Sequence, residues 1–269
     1  MASDNVENTA TIAAGVTDGD DIFFVQGATN VTGNIDKSGL GANGLGKVHL
    51  AHPWVADVGT SGTPFKAEIS ADSDSIFDNK AGGGTFFYAI DGSADVCDLV
   101  RSSGPGTRRT VLQTIGTATV VECASGIVDV NTPVAATTVR ISGTGLVNMP
   151  DSSSTDPTLV EIGGGSWVTE RGATTLTVWG GGADVNAGTN AFGTVNLHGG
   201  TAMWRQSGTI TALNWLGPLG VFDTSKLGRA MTITTVTVWA GVDQNALHDL
   251  IANPLITITN PVVYRMGNA

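Results

Sequence analysis

The chain carries little charge, and most of that charge is acidic. Charged residues make up 14% of its 269 residues, well below the roughly 25% of an average soluble domain. Lys and Arg total 13 against 24 Asp and Glu, which gives a formal net charge of −11, and only Arg108–Arg109 are adjacent basic residues. Proteins that coat nucleic acid need a basic face, because phosphate neutralisation dominates their affinity. The composition therefore predicts no nucleic-acid partner.

Cysteines and long apolar runs are also scarce. The two cysteines, Cys97 and Cys123, are too few for a disulfide framework, and their apolar surroundings predict buried free thiols. No run approaches the ~20 apolar residues of a membrane span, so no membrane partner is predicted. The stretch Met1–Gly15 is acidic and polar, unlike a secretory signal. This predicts that the protein is made and kept in a cytoplasm.

Glycine, by contrast, is abundant, and a short pattern recurs from about residue 120. There are 37 glycines, about twice the usual share. Each copy reads apolar, polar, apolar, and a glycine follows within a few residues. The copies are Val121–Cys123, Val139–Ile141, Val160–Ile162, Leu176–Val178, Val195–Leu197, Leu213–Trp215 and Val236–Val238. Alternation with a period of two indicates strands with one buried and one solvent-facing side.

The spacing of the copies predicts the fold class. Their last residues lie 18, 21, 16, 19, 18 and 23 positions apart. A second apolar position follows each copy, at Val128, Val147, Val168, Val185, Trp204 and Phe222, and a polar residue comes next, at Asp129, Asn148, Thr169, Asn186, Arg205 and Asp223. Such a period matches one coil of a solenoid with three strands and three corners. We predict an all-β fold, a parallel β-helix (solenoid) of ~19-residue coils stacked ~4.8 Å apart.

Stacked coils would place the middle residues of the copies in one outward-facing column. The column comprises Glu122, Arg140, Glu161, Thr177, Asn196, Asn214 and Thr237. It begins with alternating charges, which favours ion pairs between adjacent coils. It continues with Thr and Asn, which can hydrogen-bond along a stack.

Three regions are predicted along the chain. Residues 1–110 repeat less clearly, and we interpret them as an irregular β region, either an extension of the solenoid or a capping and attachment region. Its strand candidates are Ile22–Gln26, Lys47–Leu50, Phe65–Ile69, Phe86–Ile90 and Val96–Val100. Residues 111–241 are predicted to form the parallel solenoid. Residues 242–269 are predicted to form a C-terminal cap or partner-binding tail, with a helix over Asp243–Asn253 that Asp243 would cap and a strand within Leu255–Arg265.

No residue is predicted to be catalytic, cofactor-binding or metal-binding. Glu122 and Glu161 lie one coil to either side of Arg140, which would lower carboxylate pKa values where a glycosidase acid needs a raised one. Ser70–Ser75 resembles half a calcium loop but lacks the downstream glycine and glutamate. The histidines of His49–His52 have no third zinc ligand nearby in sequence. We therefore predict that the protein is not an enzyme and needs no cofactor.

Tryptophans lie on or beside successive coils. They are Trp167, Trp179, Trp204, Trp215 and Trp239. Large aromatic side chains dominate both cores and interfaces, and we predict these roles here. Stacked aromatic rings that bind sugar are the alternative.

Several stretches are similar to uncharacterised β-solenoid virion proteins of tailed bacteriophages. They are Gly208–Trp215, Gly220–Ser225, Met231–Val238, Gly19–Gly27 and Val58–Lys66. The resemblance implies a head decoration (cement) protein on the outer capsid surface, bound to the major capsid protein and assembled as a homo-oligomer, with a trimer favoured. Residues 1–40 and 243–269 are the expected contact elements. A tail fibre that binds host glycan, a polysaccharide-degrading β-helix enzyme and a bacterial adhesin or filament component are the alternatives.

Overall fold

The computed structural model describes residues 3–17, 19–33, 35–37, 45–67, 75–90, 96–113, 116–131, 134–150, 155–186 and 188–265. The chain is nearly all-β and forms a parallel β-solenoid of about ten turns, so the predicted fold class is confirmed. By its contacts it divides into two units. The first comprises Met1–Thr137 with Thr144–Asn148, and the second comprises Thr138–Gly143 with Met149–Ala269.

The described elements are short strands and one helix. In chain order they are β1 Ser3–Glu7, β2 Asp21–Gln26, β3 Asp36–Lys37, β4 Lys47–Leu50, β5 Phe65–Ala67, β6 Ile76–Asn79, β7 Thr85–Ile90, β8 Val96–Ser102, β9 Arg109–Gln113, β10 Thr117–Cys123, β11 Ile127–Val130, β12 Ala135–Ile141, β13 Leu146–Met149, β14 Leu159–Ile162, β15 Ser166–Thr169, β16 Ala173–Val178, β17 Gly182–Val185, β18 Phe192–Trp204, β19 Gly208–Asp223, β20 Met231–Trp239, α1 Gln244–Ala252, β21 Ile256–Ile258 and β22 Val263–Arg265. No helix among the described residues combines the length and the apolar character needed to cross a membrane.

Parallel coils already form in the first unit. Strands β2, β4, β6, β8 and β10 pair in succession and in parallel. One register position passes through Ile22, Val48, Phe77, Val100 and Val121, and all these side chains are buried. These pairings favour one of the two interpretations of residues 1–110, an irregular extension of the solenoid. Successive positions in this column lie 26, 29, 23 and 21 residues apart, so long corners hide the repeat.

The core of the first unit is aromatic. Phe77 stacks on Tyr88 with ring centroids 4.8 Å apart and lies 4.7 Å from Phe86. The Phe24 ring meets Trp54 edge to face at 5.1 Å. Offset and edge-to-face pairs of this kind contribute beyond the apolar area that they bury.

The second unit shows the sequence repeat directly. The predicted outward column is confirmed here, because Arg140, Glu161, Thr177, Asn196, Asn214 and Thr237 are successive register partners. The apolar residues that follow them are buried and also in register: Ile141, Ile162, Val178, Leu197, Trp215 and Val238. The remaining member, Glu122, lies in the first unit opposite Arg101.

The second predicted apolar column is partly wrong. Trp167 is buried and Val168 is half-exposed, so the core position in β15 lies one residue earlier than predicted. Trp167 aligns with Ala183, Ala202 and Phe222, whereas Val185 and Trp204 align with each other in a different column. The error arises because the corners differ in length. The prediction assumed a constant spacing between strands, and each added corner residue shifts the buried position of the next strand by one.

The C-terminal region adds a helix and two strands. Helix α1 begins after Asp243, whose carboxylate accepts a hydrogen bond from the Asn245 amide at 2.9 Å. This confirms the predicted helix and its N-cap. Strand β21 pairs with the start of β20, and β22 pairs with its end, which confirms strand structure within Leu255–Arg265.

Candidate functional site

The glutamates weighed as catalytic carboxylates are held in ion pairs. In the second unit, Nε of Arg140 lies 3.0 Å from Oε2 of Glu161. In the first unit, Nε of Arg101 lies 2.9 Å from Oε2 of Glu122. Each carboxylate therefore lies beside a guanidinium on a neighbouring strand. These ion pairs connect neighbouring strands on the outer side of the coils.

The histidine and aspartate candidates for metal binding do not converge. His49 Nδ1 lies 3.5 Å from Asp78 Oδ2, and Lys80 Nζ lies 2.9 Å from the same oxygen. Within the described ranges, no group of three or more His, Cys, Asp or Glu is placed to hold a metal ion. The acidic stretch 70–74 lies outside the described residues.

The two cysteines are buried free thiols, as predicted. Burial raises the pKa of the Cys97 thiol to about 11 and that of the Cys123 thiol to about 11. Both thiols lie within hydrogen-bonding distance of backbone carbonyls, including Leu99 and Ser125. A protonated, enclosed thiol is a poor nucleophile, so these residues act in packing.

The tryptophans divide into two groups. Trp167, Trp204 and Trp215 are buried, in agreement with the core prediction. Trp179 and Trp239 remain 56% and 41% exposed. Both exposed rings follow a buried residue that ends the repeated triplet, Val178 or Val238. They therefore lie at one corner, on the outer side of the coil.

An aromatic stack is built at this corner. Because Val178 pairs with Leu197, the next residues, Trp179 and His198, are neighbours on adjacent strands. Their ring centroids lie 3.6 Å apart and the planes differ by 15°. Partial burial lowers the pKa of His198 below its ordinary 6.5.

A ladder of amides and hydroxyls runs beside the stack. Asn214 Nδ2 donates to Asn196 Oδ1 at 2.9 Å, and Asn196 Nδ2 donates to Thr177 Oγ1 at 3.2 Å. Thr177 and Trp179 are two residues apart, so both project from the outer side of the sheet. The second unit therefore presents a polar strip bordered by aromatic rings.

Apolar side chains are also exposed near the C-terminal end of the second unit. They include Leu219, which is 78% exposed, and Tyr264, which is 60% exposed, together with Val221, Ile251 and Val263. Tyr264 is the register partner of buried Val238. It thus occupies a core position of the solenoid, and among the described strands β22 pairs with β20 alone.

A groove of about 600 Å³ lies along one corner of the first unit. Its lining includes several threonines and the glycines Gly84, Gly106 and Gly126. Gly106 has a φ of 119°, and a Cβ there would lie 2.1 Å from the Gly82 carbonyl oxygen. The corner therefore requires glycine for close coil stacking. Beside it, the buried Arg108 guanidinium donates to the Ala81 and Ser125 carbonyls, which ties neighbouring corners together.

Comparisons with protein-family models, with curated proteins and with solved structures gave no match for this chain. A proposal of function therefore depends on two features of the second unit, the aromatic stack of Trp179 and His198 and the exposed apolar residues near the C-terminal end. Sequence reasoning named the tryptophans but missed Leu219 and Tyr264. Alignment of the repeated triplets would have grouped Trp179, His198 and Trp239, because each follows a triplet by one residue.

Proposed function

We propose that this protein is a non-catalytic structural component of a tailed-phage virion, a decoration (cement) protein on the outer surface of the head. It binds the major capsid protein, works as a homotrimer and resides on the capsid surface after synthesis in the host cytoplasm. The proposal is supported by the likeness of five stretches to β-solenoid virion proteins. A parallel stack of hydrogen-bonded coils is a stiff scaffold suited to that role.

The exposed apolar residues of the C-terminal region carry the proposal. Tyr264, Val263 and Ile251 lie within the segment 243–269 that the sequence marked as a contact element. Large apolar side chains that remain exposed on a protein surface are typical of protein interfaces. A capsid shell offers such a partner at many equivalent positions, and burial of a side chain such as Tyr264 would stabilise attachment.

The test uses particles purified from lysates of a strain that carries the gene. Cryo-electron microscopy should show the protein in a regular lattice on the head. The double variant Ile251→Glu, Tyr264→Glu should fold normally and lose attachment, because charged side chains cannot be buried in an apolar contact without a partner. Val55→Glu, an exposed apolar position in the first unit, is the matched control and should still attach.

Absence of the protein from the head, or attachment of the double variant at the wild-type level, would contradict the decoration role. A few copies at the tail tip would instead support the second candidate, a tail fibre that adheres to host glycan. The exposed ring of Trp179 favours that alternative, because aromatic faces bind the apolar side of sugars.

A further inference from the structure

The Trp179 indole has one covered face and one open face. His198 lies on the following strand and its ring is almost parallel to the indole at a centroid distance of 3.6 Å. The stacking direction therefore runs along the sequence of coils. The opposite face of the indole points toward the preceding coil, and the indole remains 56% exposed.

Gly163 leaves that second face open. Ile162 pairs with Val178, so Gly163 holds the position on the preceding coil that Trp179 holds on its own. A glycine contributes no side chain to the column. A Cβ built at Gly163 would have only the Ile141 carbonyl oxygen within 4 Å, at 3.9 Å, and its φ is not in the left-handed region. Neither close packing nor backbone conformation thus requires glycine here, unlike at Gly106.

Polar groups border this open position. Glu161 precedes Gly163 by two residues and projects from the same outer side of the sheet. Its carboxylate is paired with Arg140, and both side chains are partly exposed. Thr177, two residues before Trp179, is itself buried, and its Oγ1 accepts a hydrogen bond from Asn196 Nδ2 at 3.2 Å. An apolar ring face is therefore flanked on one side by a partly exposed pair of charged groups that can form hydrogen bonds.

We propose that the open face of Trp179 above Gly163 is a binding site for one hexopyranose unit of a glycan. The apolar face of the sugar ring, which carries C–H groups, packs on the indole and is removed from water. Its hydroxyl groups reach the Arg140–Glu161 pair and form charge-assisted hydrogen bonds with it. A purely apolar partner would leave that ion pair desolvated, which is why the site fits a sugar.

The experiment uses the full chain and a microarray of immobilised hexopyranose oligosaccharides, followed by fluorescence titration with the best oligosaccharide. The wild-type chain should bind. Gly163→Leu should fold normally and fill the open position, and Trp179→Ala should remove the platform. Each should weaken binding by about tenfold or more, which is the loss of ~1.4 kcal/mol. Trp179→Phe should retain part of the affinity.

Two controls separate the site from general effects. Gly228→Leu adds the same side chain where a Cβ would have nothing within 4 Å, and Trp239→Ala removes the other exposed indole. Both should bind as the wild type does. Unfolding midpoints within ~2 °C of the wild type would show intact variants. No binding to any immobilised sugar, or wild-type binding by Gly163→Leu, would overturn the proposal. These readouts concern the isolated chain and do not depend on its place in a virion.

Discussion

The two units build the same parallel coil from different side chains. The outer column of the first unit is largely charged and includes His49, Asp78, Arg101 and Glu122 as successive register partners. In the second unit the corresponding column becomes neutral after Glu161 and ends in hydrogen-bonded Thr and Asn. The fold thus depends on backbone hydrogen bonds between strands and on a buried apolar face. The outward-facing side chains can therefore be charged in one unit and neutral in the other.

Their cores differ as well, and this gives the largest expected effect. Phe77→Ala in the first unit removes a ring that contacts Tyr88 and Phe86 and leaves a cavity, so the free energy of unfolding should fall by about 3–5 kcal/mol. Urea denaturation, followed by the fluorescence of the buried tryptophans, measures the change. A loss under ~1 kcal/mol would show that the aromatic cluster does not stabilise the unit.

The outer columns should respond differently to salt. Arg101→Gln removes a partly exposed ion pair and should cost about 0.2–1 kcal/mol at low ionic strength. The cost should nearly vanish in 1 M NaCl, where charges are screened within ~3 Å. Asn196→Ala removes hydrogen bonds to Thr177 and Asn214 and should cost about 1 kcal/mol at either salt concentration. Urea midpoints at low and high salt distinguish the two, and equal salt responses would refute the contrast.

The smallest expected effect is a pH dependence at the aromatic stack. Burial lowers the pKa of His198 in the folded state below its ordinary 6.5, so the unfolded chain binds the proton more readily. Stability should therefore fall as the pH drops below about 6.5, and it should be restored above that value. Thermal unfolding of the wild type and of His198→Gln between pH 5 and 7.5 tests this. The variant should show a shallower slope, and identical slopes would contradict the assignment.

The coils could be predicted from the sequence only where the corners between strands have nearly the same length. The triplets from Val139 to Val238 recur at nearly even intervals, so period-two alternation and glycine positions were enough to predict their coils. In the first unit the same ladder passes through Val48 and Phe77 with longer corners between them, and no fixed period appears. The buried position of β15 was predicted at Val168 and lies at Trp167 for the same reason, because a single added corner residue reverses which side chain is buried.

The candidate site was predictable only in part. The sequence predicted a core or interface role for Trp179, with sugar binding as the alternative. The open face of its ring, however, depends on Gly163, sixteen residues earlier in the sequence. The two residues are neighbours because β14 pairs with β16. That contact can be predicted only when the register of the two strands is known. The exposure of Tyr264 could not be predicted either, because it follows from the position of this residue on the last described coil.

The last coil has a consequence for how the molecule opens. Strands β21 and β22 are each three residues long and pair with β20, whereas β18 and β19 are held by strands on both sides. In a linear stack, stability is a sum over nearest neighbours, so this coil should fray before β18 and β19 and exchange its amide hydrogens faster than they do. A partner that covers Tyr264 would supply a second neighbour. Binding of the partner would then also complete the stack of coils. Dissociation of the partner would begin with the opening of the three-residue strands β21 and β22.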